Sequence, residues 1–230
     1  MEESERFKFV DDLTFLEIIP LLSVGLATYN VRAHIPSDIP THNQIIASEN
    51  LKSQDQLQKI SHWTQNQKMK LNVRKTKSMI FNFLKKHHFN TKLSVNNDRV
   101  EIVKEAKLLG TIITDDLKWN KNTKEIVRKA YERMQLLNKA AHFTSAKGDL
   151  KKIYQTFVRS ILEQSSAVWH SSLSKKNHRD LERVQKAAVR VIMGQTYTGY
   201  ENGLKALNIE TLDKRRDRLC LRFAKKCLKS

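Results

Sequence analysis

The sequence predicts an α+β chain, with short strands and one helix before about residue 116 and helices alone from 117 onward. Three observations carry this. Runs of β-type residues bounded by turn residues lie between Ser78 and Ile113. After Trp119 the apolar residues recur every three or four positions, and no strand candidate returns. The charge also divides. Residues 1–60 hold five Lys/Arg against nine Asp/Glu, whereas residues 61–230 hold the remaining 37 against 15.

The N-terminal stretch Phe7-Lys8-Phe9-Val10-Asp11-Asp12-Leu13-Thr14 joins an apolar-leaning run to a second one, Leu13 to Leu22. That pattern predicts a β-hairpin with Asp11 and Asp12 at its tip. The span 27–49, with Pro36 and Pro40, reads as a long irregular connection. Ser53-x-x-Gln56 resembles a capping box, and Leu57, Ile60 and Trp63 come after it at helical spacing. A helix from about Ser53 to Gln67 is expected. Ser78–Phe83 reads as a strand. Lys92–Val95 and Arg99–Val103 flank the turn residues Asn96-Asn97-Asp98 and read as a second hairpin. Lys107–Ile113 is a further β-rich segment.

Beyond Trp119 three apolar stripes appear. The first is Ile126, Ala130, Met134, Leu137 and Ala141. The second is Ile153, Tyr154, Phe157, Val158, Ile161 and Leu162. The third is Leu181, Val184, Ala188, Val191 and Ile192. Opposite the third, Arg179, Arg183, Lys186 and Arg190 line up at helical spacing. Thr198-x-x-Glu201 suggests a short capped helix. A last helix from about Thr211 points Leu212, Leu219 and Phe223 inward and its many Lys/Arg outward.

Composition narrows the function. A net charge of +18, gathered behind an acidic head, suits a polyanion partner. No apolar run reaches transmembrane length, and the acidic Met1-Glu2-Glu3-Ser4-Glu5 is unlike a signal peptide. An intracellular location, nuclear or cytoplasmic, is expected. Cys220 and Cys227 lie seven residues apart on one helix, roughly 10 Å along its axis. That is too far for a disulfide, and two cysteines make no zinc knuckle.

Asp11 and Asp12 are the first chemical candidates. Adjacent carboxylates repel and stay ionised together only beside cations. Hard oxygen ligands on a tight turn suit Mg²⁺, and Mg²⁺ beside phosphate suits nucleotidyl transfer. Taken alone, the pair fits a solvated acidic turn better.

The order of motifs changes that balance. Phe9-Val10-Asp11-Asp12, then Trp63, Met69-x-Leu71-Asn72-x-x-Lys75-Thr76 and Leu108-Leu109-Gly110 resemble the second half of a reverse transcriptase. Leu117-x-Trp119, Tyr154, Ile161-Leu162-Glu163, Val168-Trp169 and Leu181-Glu182-x-Val184-Gln185 resemble the region C-terminal to that half in non-LTR retrotransposons of the jockey-like kind. The resemblance covers nearly the whole chain. It implies a partial palm over 1–116 (hairpin, helix, further antiparallel strands) and a helical thumb with C-terminal region over 117–230. It implies that Asp11, supported by Asp12, binds catalytic Mg²⁺. It makes Lys75 the proton donor to pyrophosphate, and Leu109-Gly110 part of the strand that grips the primer. The implied partners are an RNA template and a DNA primer or product.

One departure sets a limit. In such enzymes a further Asp-bearing strand and the fingers precede the hairpin, whereas six residues precede Phe7 here. The resemblance therefore implies a metal site short of carboxylates and no polymerase activity from this chain alone. The alternative is a non-catalytic nucleic-acid-binding remnant of such an element.

Other candidates weigh less. His178-Arg179-Asp180 spells a kinase triplet and a dioxygenase His-x-Asp, but the companion motifs are missing, and a helix start with solvated charges fits better. His87-His88 reads as a solvated turn. Trp63, Trp119 and Trp169 sit at apolar positions and read as core.

Overall fold

The second half of the chain finds a helix for each apolar stripe. The computed structural model describes residues 8–10, 42–81, 92–144 and 146–229. They divide into two units, Met1–Lys104 and Glu105–Ser230. The division falls before the β-rich segment at 107–113, slightly earlier than the change of period suggests. Among the described residues, no helix is long and apolar enough to cross a membrane.

In the first unit, β1 (Lys8–Val10) pairs in parallel with β2 (Met69–Leu71), Val10 opposite Leu71. The chain from Leu13 onward, where the expected hairpin would close, lies outside the described residues. Helix α1 (His42–Asn66) separates the two strands. It begins eleven residues before Ser53, so 42–49 is helical where an irregular connection is expected, and the capping-box pattern falls inside the helix. Strand β3 (Lys77–Ser78) is far shorter than expected over 78–83. Its parallel partner β6 (Glu101–Ile102) offers only two residues. Half of the strand pairs are thus parallel, against the antiparallel expectation. Parallel neighbours need a long crossover, and α1 supplies one for β1 and β2.

The hairpin of β4 (Ser94–Val95) and β5 (Asp98–Arg99) forms where the turn residues predict it. Asn96 and Asn97 both take positive φ, 51° and 68°, as a two-residue primed turn requires. Gln54 on α1 clamps this hairpin: its amide donates to the Ser94 carbonyl at 2.8 Å and accepts from the Ser94 N–H at 2.9 Å. Behind it lies a small core of Leu71, Val95 and Val100, with Leu57, Val73 and Leu93 packed against it. Trp63, expected in the core, is 52% exposed because its face of α1 has no strand against it among the described residues.

The second unit opens with β7 (Glu105–Leu108) and β8 (Thr111–Thr114), an antiparallel hairpin. Helix α2 (Asn120–Phe143) comes next and buries Ile126, Ala130, Met134 and Leu137. The second stripe is not one α-helix. It runs as α3 (Lys147–Ile153), a π-helical stretch (Tyr154–Arg159) and α4 (Ser160–Glu163). Leu150, Tyr154, Val158 and Leu162, each four residues from the last, are all buried. At 3.6 residues per turn a step of four overshoots by about 40°. The wider π turn takes that drift back. It also turns Phe157 outward, 45% exposed, against its expected inward place.

Helix α5 (Ser166–Trp169) and a 3₁₀ turn (His170–Ser172) lead to α6 (Lys175–Met193), which packs on α2. The side chain of Ser174 caps α6 by accepting from the Asn177 N–H at 3.2 Å. Helix α7 (Tyr200–Leu207) starts after Gly199 rather than on a Thr198 cap. It approaches α6 through Gly203, where a Cβ would stand 2.5 Å from Cγ1 of Val189. Helix α8 (Leu212–Cys227) starts from a Thr211 cap as expected and packs on α5 and α6. Residues 221–229 are all exposed, Phe223 included, because only the first half of α8 meets the other helices. One of its arginines, Arg216, is fully buried, contrary to an all-outward basic face.

Candidate nucleic-acid interface

Helix α6 owes its two faces to its sequence. Leu181, Val184, Ala188, Val189 and Ile192 go inward and are buried, with Gln185 among them. Arg179, Arg183, Lys186 and Arg190 are all exposed. They span eleven residues, about 16 Å of axis. That is close to five nucleotide steps of one strand at 3.4 Å each. Tyrosines hold two of the cations: the Lys186 Nζ lies 5.1 Å from the centre of the Tyr200 ring, and the Arg190 guanidinium 5.5 Å from that of Tyr197. Such contacts contribute about 0.5–1 kcal/mol at exposed sites. They also reduce the rotamer freedom a phosphate contact would otherwise remove. Arg183 reaches back to Asp180 at 3.0 Å, an exposed pair that a phosphate can replace at little cost.

Leu109 and Gly110 form the tip of the β7–β8 hairpin rather than the middle of a strand. Both take positive φ, 46° and 85°. The Leu109 side chain is 77% exposed. The tip rests on Gln164, whose amide donates to the Leu109 carbonyl at 3.5 Å. The hairpin base is fixed to α2, where the Asn122 side chain accepts from the Ile112 N–H at 3.1 Å. A Cβ on Gly110 would meet Nε2 of Gln164 at 2.7 Å. Gly110→Ala is therefore expected to cost about 1–2 kcal/mol, chiefly for the positive φ. Denaturant unfolding of Gly110→Ala with and without Gln164→Ala checks this. The second change relieves the crowding and leaves the backbone cost in place.

Lys75 stands in the turn after β2, with its side chain exposed. Asn72 shapes that turn: its carbonyl accepts the Lys75 N–H at 3.1 Å and the Thr76 N–H at 3.0 Å. The parallel register puts the chain leaving β1 at Val10 beside the chain leaving β2 toward this turn. Asp11 and Asp12, the expected Mg²⁺ ligands, lie outside the described residues. So does His87-His88.

Three residues come together that the sequence does not single out as a group. His178, expected to be solvated, is half-buried, and its Nδ1 lies 2.7 Å from Oδ1 of Asp213. His170, 4% exposed, places Nε2 3.8 Å from the same oxygen and 3.0 Å from Oδ1 of Asp217. Burial, and after it the Arg216 guanidinium, hold the His170 imidazole below the usual range; Asp217 works against them. Arg216 donates Nε–H to Nδ1 of His170 at 3.2 Å and lies 5.7 Å from the Trp169 ring. Its two Nη atoms are buried with no hydrogen-bond partner among the described residues. Two imidazoles do not suit Mg²⁺, which takes oxygen ligands. The pattern hides because His170 precedes the α6 start and the carboxylates come from α8, some forty residues away.

Comparisons with family models, with curated proteins and with solved structures find no match to this chain.

Proposed function

We propose that this chain is part of an RNA-directed DNA polymerase of a non-LTR mobile element, and that its Glu105–Ser230 unit holds the nucleic-acid duplex by its backbone. The observation that carries this reading is the outer face of α6. Four cations stand in line on a rigid, well-buried helix, two of them steadied by tyrosines. Phosphate contacts position a duplex without reading its sequence, which is the task of a polymerase thumb. The exposed Leu109-Gly110 tip, braced by Gln164, fits a grip on the primer strand. The Asn72–Thr76 turn presents Lys75 beside the end of β1, from which the chain runs on to Asp11 and Asp12. In this reading those two carboxylates hold Mg²⁺, and the ion supplies the charge that stabilises nucleotidyl transfer.

The test is binding to an RNA–DNA hybrid over a salt series, with primer extension in Mg²⁺ or Mn²⁺ followed on the same complex. Affinity should fall steeply with salt and depend little on sequence. Binding that ignores salt would remove the duplex-holding role. Extension separates the two classes of function: its presence marks a polymerase, and tight binding without it marks a non-catalytic remnant.

A further inference from the structure

We infer that His170, His178 and Asp213, with Asp217 beside them, form a site for a transition-metal dication of the Zn²⁺ class. The ligand atoms of His170, His178 and Asp213 all lie within 4.8 Å of one another. Tetrahedral Zn²⁺ with ligands at about 2.0–2.1 Å holds its donor atoms about 3.3 Å apart. The present spacings, 2.7 and 3.8 Å about the Asp213 oxygen, bracket that value. The residues that must adjust are the ones able to. The side chains of Asp213 and Asp217 are 55% and 65% exposed and stand one helical turn apart on α8. The His170 and His178 rings already meet edge-on, with centres 5.1 Å apart. Two imidazoles with carboxylates favour Zn²⁺ over Mg²⁺ or Ca²⁺.

Arg216 sets the terms of loading. It donates to Nδ1 of His170, so in the metal-free protein the ring proton sits on Nε2 and faces Asp217. When Nε2 takes the metal, the proton moves to Nδ1 and the ring stays neutral. Two donors then face each other, and Arg216 must turn aside. Nothing among the described residues hydrogen-bonds its two Nη atoms, so that turn breaks only the bond to His170. The bound ion would tie the start of α8 to the 3₁₀ turn and the start of α6. The site stands apart from the basic face of α6 and does not depend on the polymerase reading.

Calorimetric titration of the chelator-treated full chain with Zn²⁺, and separately with Mg²⁺, tests the site. One equivalent of Zn²⁺ should bind and raise the unfolding midpoint by several degrees, and Mg²⁺ should do neither. His178→Gln and Asp213→Asn, both at partly exposed positions, should each weaken the Zn²⁺ affinity by more than about tenfold while the circular dichroism stays unchanged. Other histidines offer stray Zn²⁺ sites, so the variants decide. Absence of Zn²⁺ binding, or binding unchanged in both variants, overturns the assignment.

Discussion

Replacing Arg179, Arg183, Lys186 and Arg190 together by Gln weakens binding to an RNA–DNA hybrid by about a hundredfold near 0.15 M salt. It also flattens the plot of log affinity against log salt by about four in slope. Each cation on a phosphate releases close to one counterion, so four lost contacts should remove about that much slope. The fold should survive, because all four side chains are exposed and lie opposite the buried face of α6. A chain with net charge +18 would lose some affinity from any four neutralisations. The control is therefore the same change at Arg222, Lys225, Lys226 and Lys229, all exposed at the far end of the chain. An equal loss in both sets would reduce the interface to general charge. A larger loss on α6 places the duplex there.

Gln185→Leu should destabilise the second unit by about 2–5 kcal/mol. Gln185 is fully buried and sits at the centre of a polar knot. Its side-chain carbonyl accepts from the Tyr154 hydroxyl at 2.6 Å. Its amide donates to the Tyr200 hydroxyl at 2.8 Å and to the Glu210 carbonyl at 3.0 Å. The Tyr200 hydroxyl in turn donates to Glu182. Leucine matches the volume and removes the partners. Each buried polar group left unpaired costs about 1–3 kcal/mol, and the Tyr154 hydroxyl and the Glu210 carbonyl are both left so. Burial raises both tyrosines above the usual phenol range, and for Tyr200 the bond to Glu182 adds to it. They remain donors at any pH where the fold persists. Chemical denaturation of Gln185→Leu, Tyr154→Phe and the pair measures the coupling. The double variant should lose less than the sum, since the phenylalanine no longer has a hydroxyl to satisfy. Strict additivity would mean the knot carries no shared energy.

The residues made some of this plain and hid the rest for physical reasons. Period-3.6 stripes on α2 and α6 are strong local signals, and both helices bury most of the residues that the stripes name. The Asn96-Asn97 turn is equally local, since few residue pairs accept two positive φ values in succession. Gln185 was invisible because a glutamine on an apolar face looks like a surface position until its three partners, from three other segments, are in place. Arg216 hid for the same reason, among cations that do face outward. The His170–His178–Asp213 group depends on tertiary packing of α8 against the start of α6, which no spacing along the chain encodes. The early start of α1 and the brevity of β3 are failures of another kind. Propensity and pattern there were weaker than the crossovers and pairings that fixed the ends.

The π-helical stretch at Tyr154–Arg159 carries a consequence for how the chain tolerates change. Losing one residue there would let the backbone rewind to ordinary pitch. Everything C-terminal to the cut would then rotate by about 100° about the local axis. Leu162 would swing out of the interior, and Glu163 with its partner Arg215 would part. A deletion that leaves every remaining side chain intact should therefore damage this segment more than most single substitutions within it.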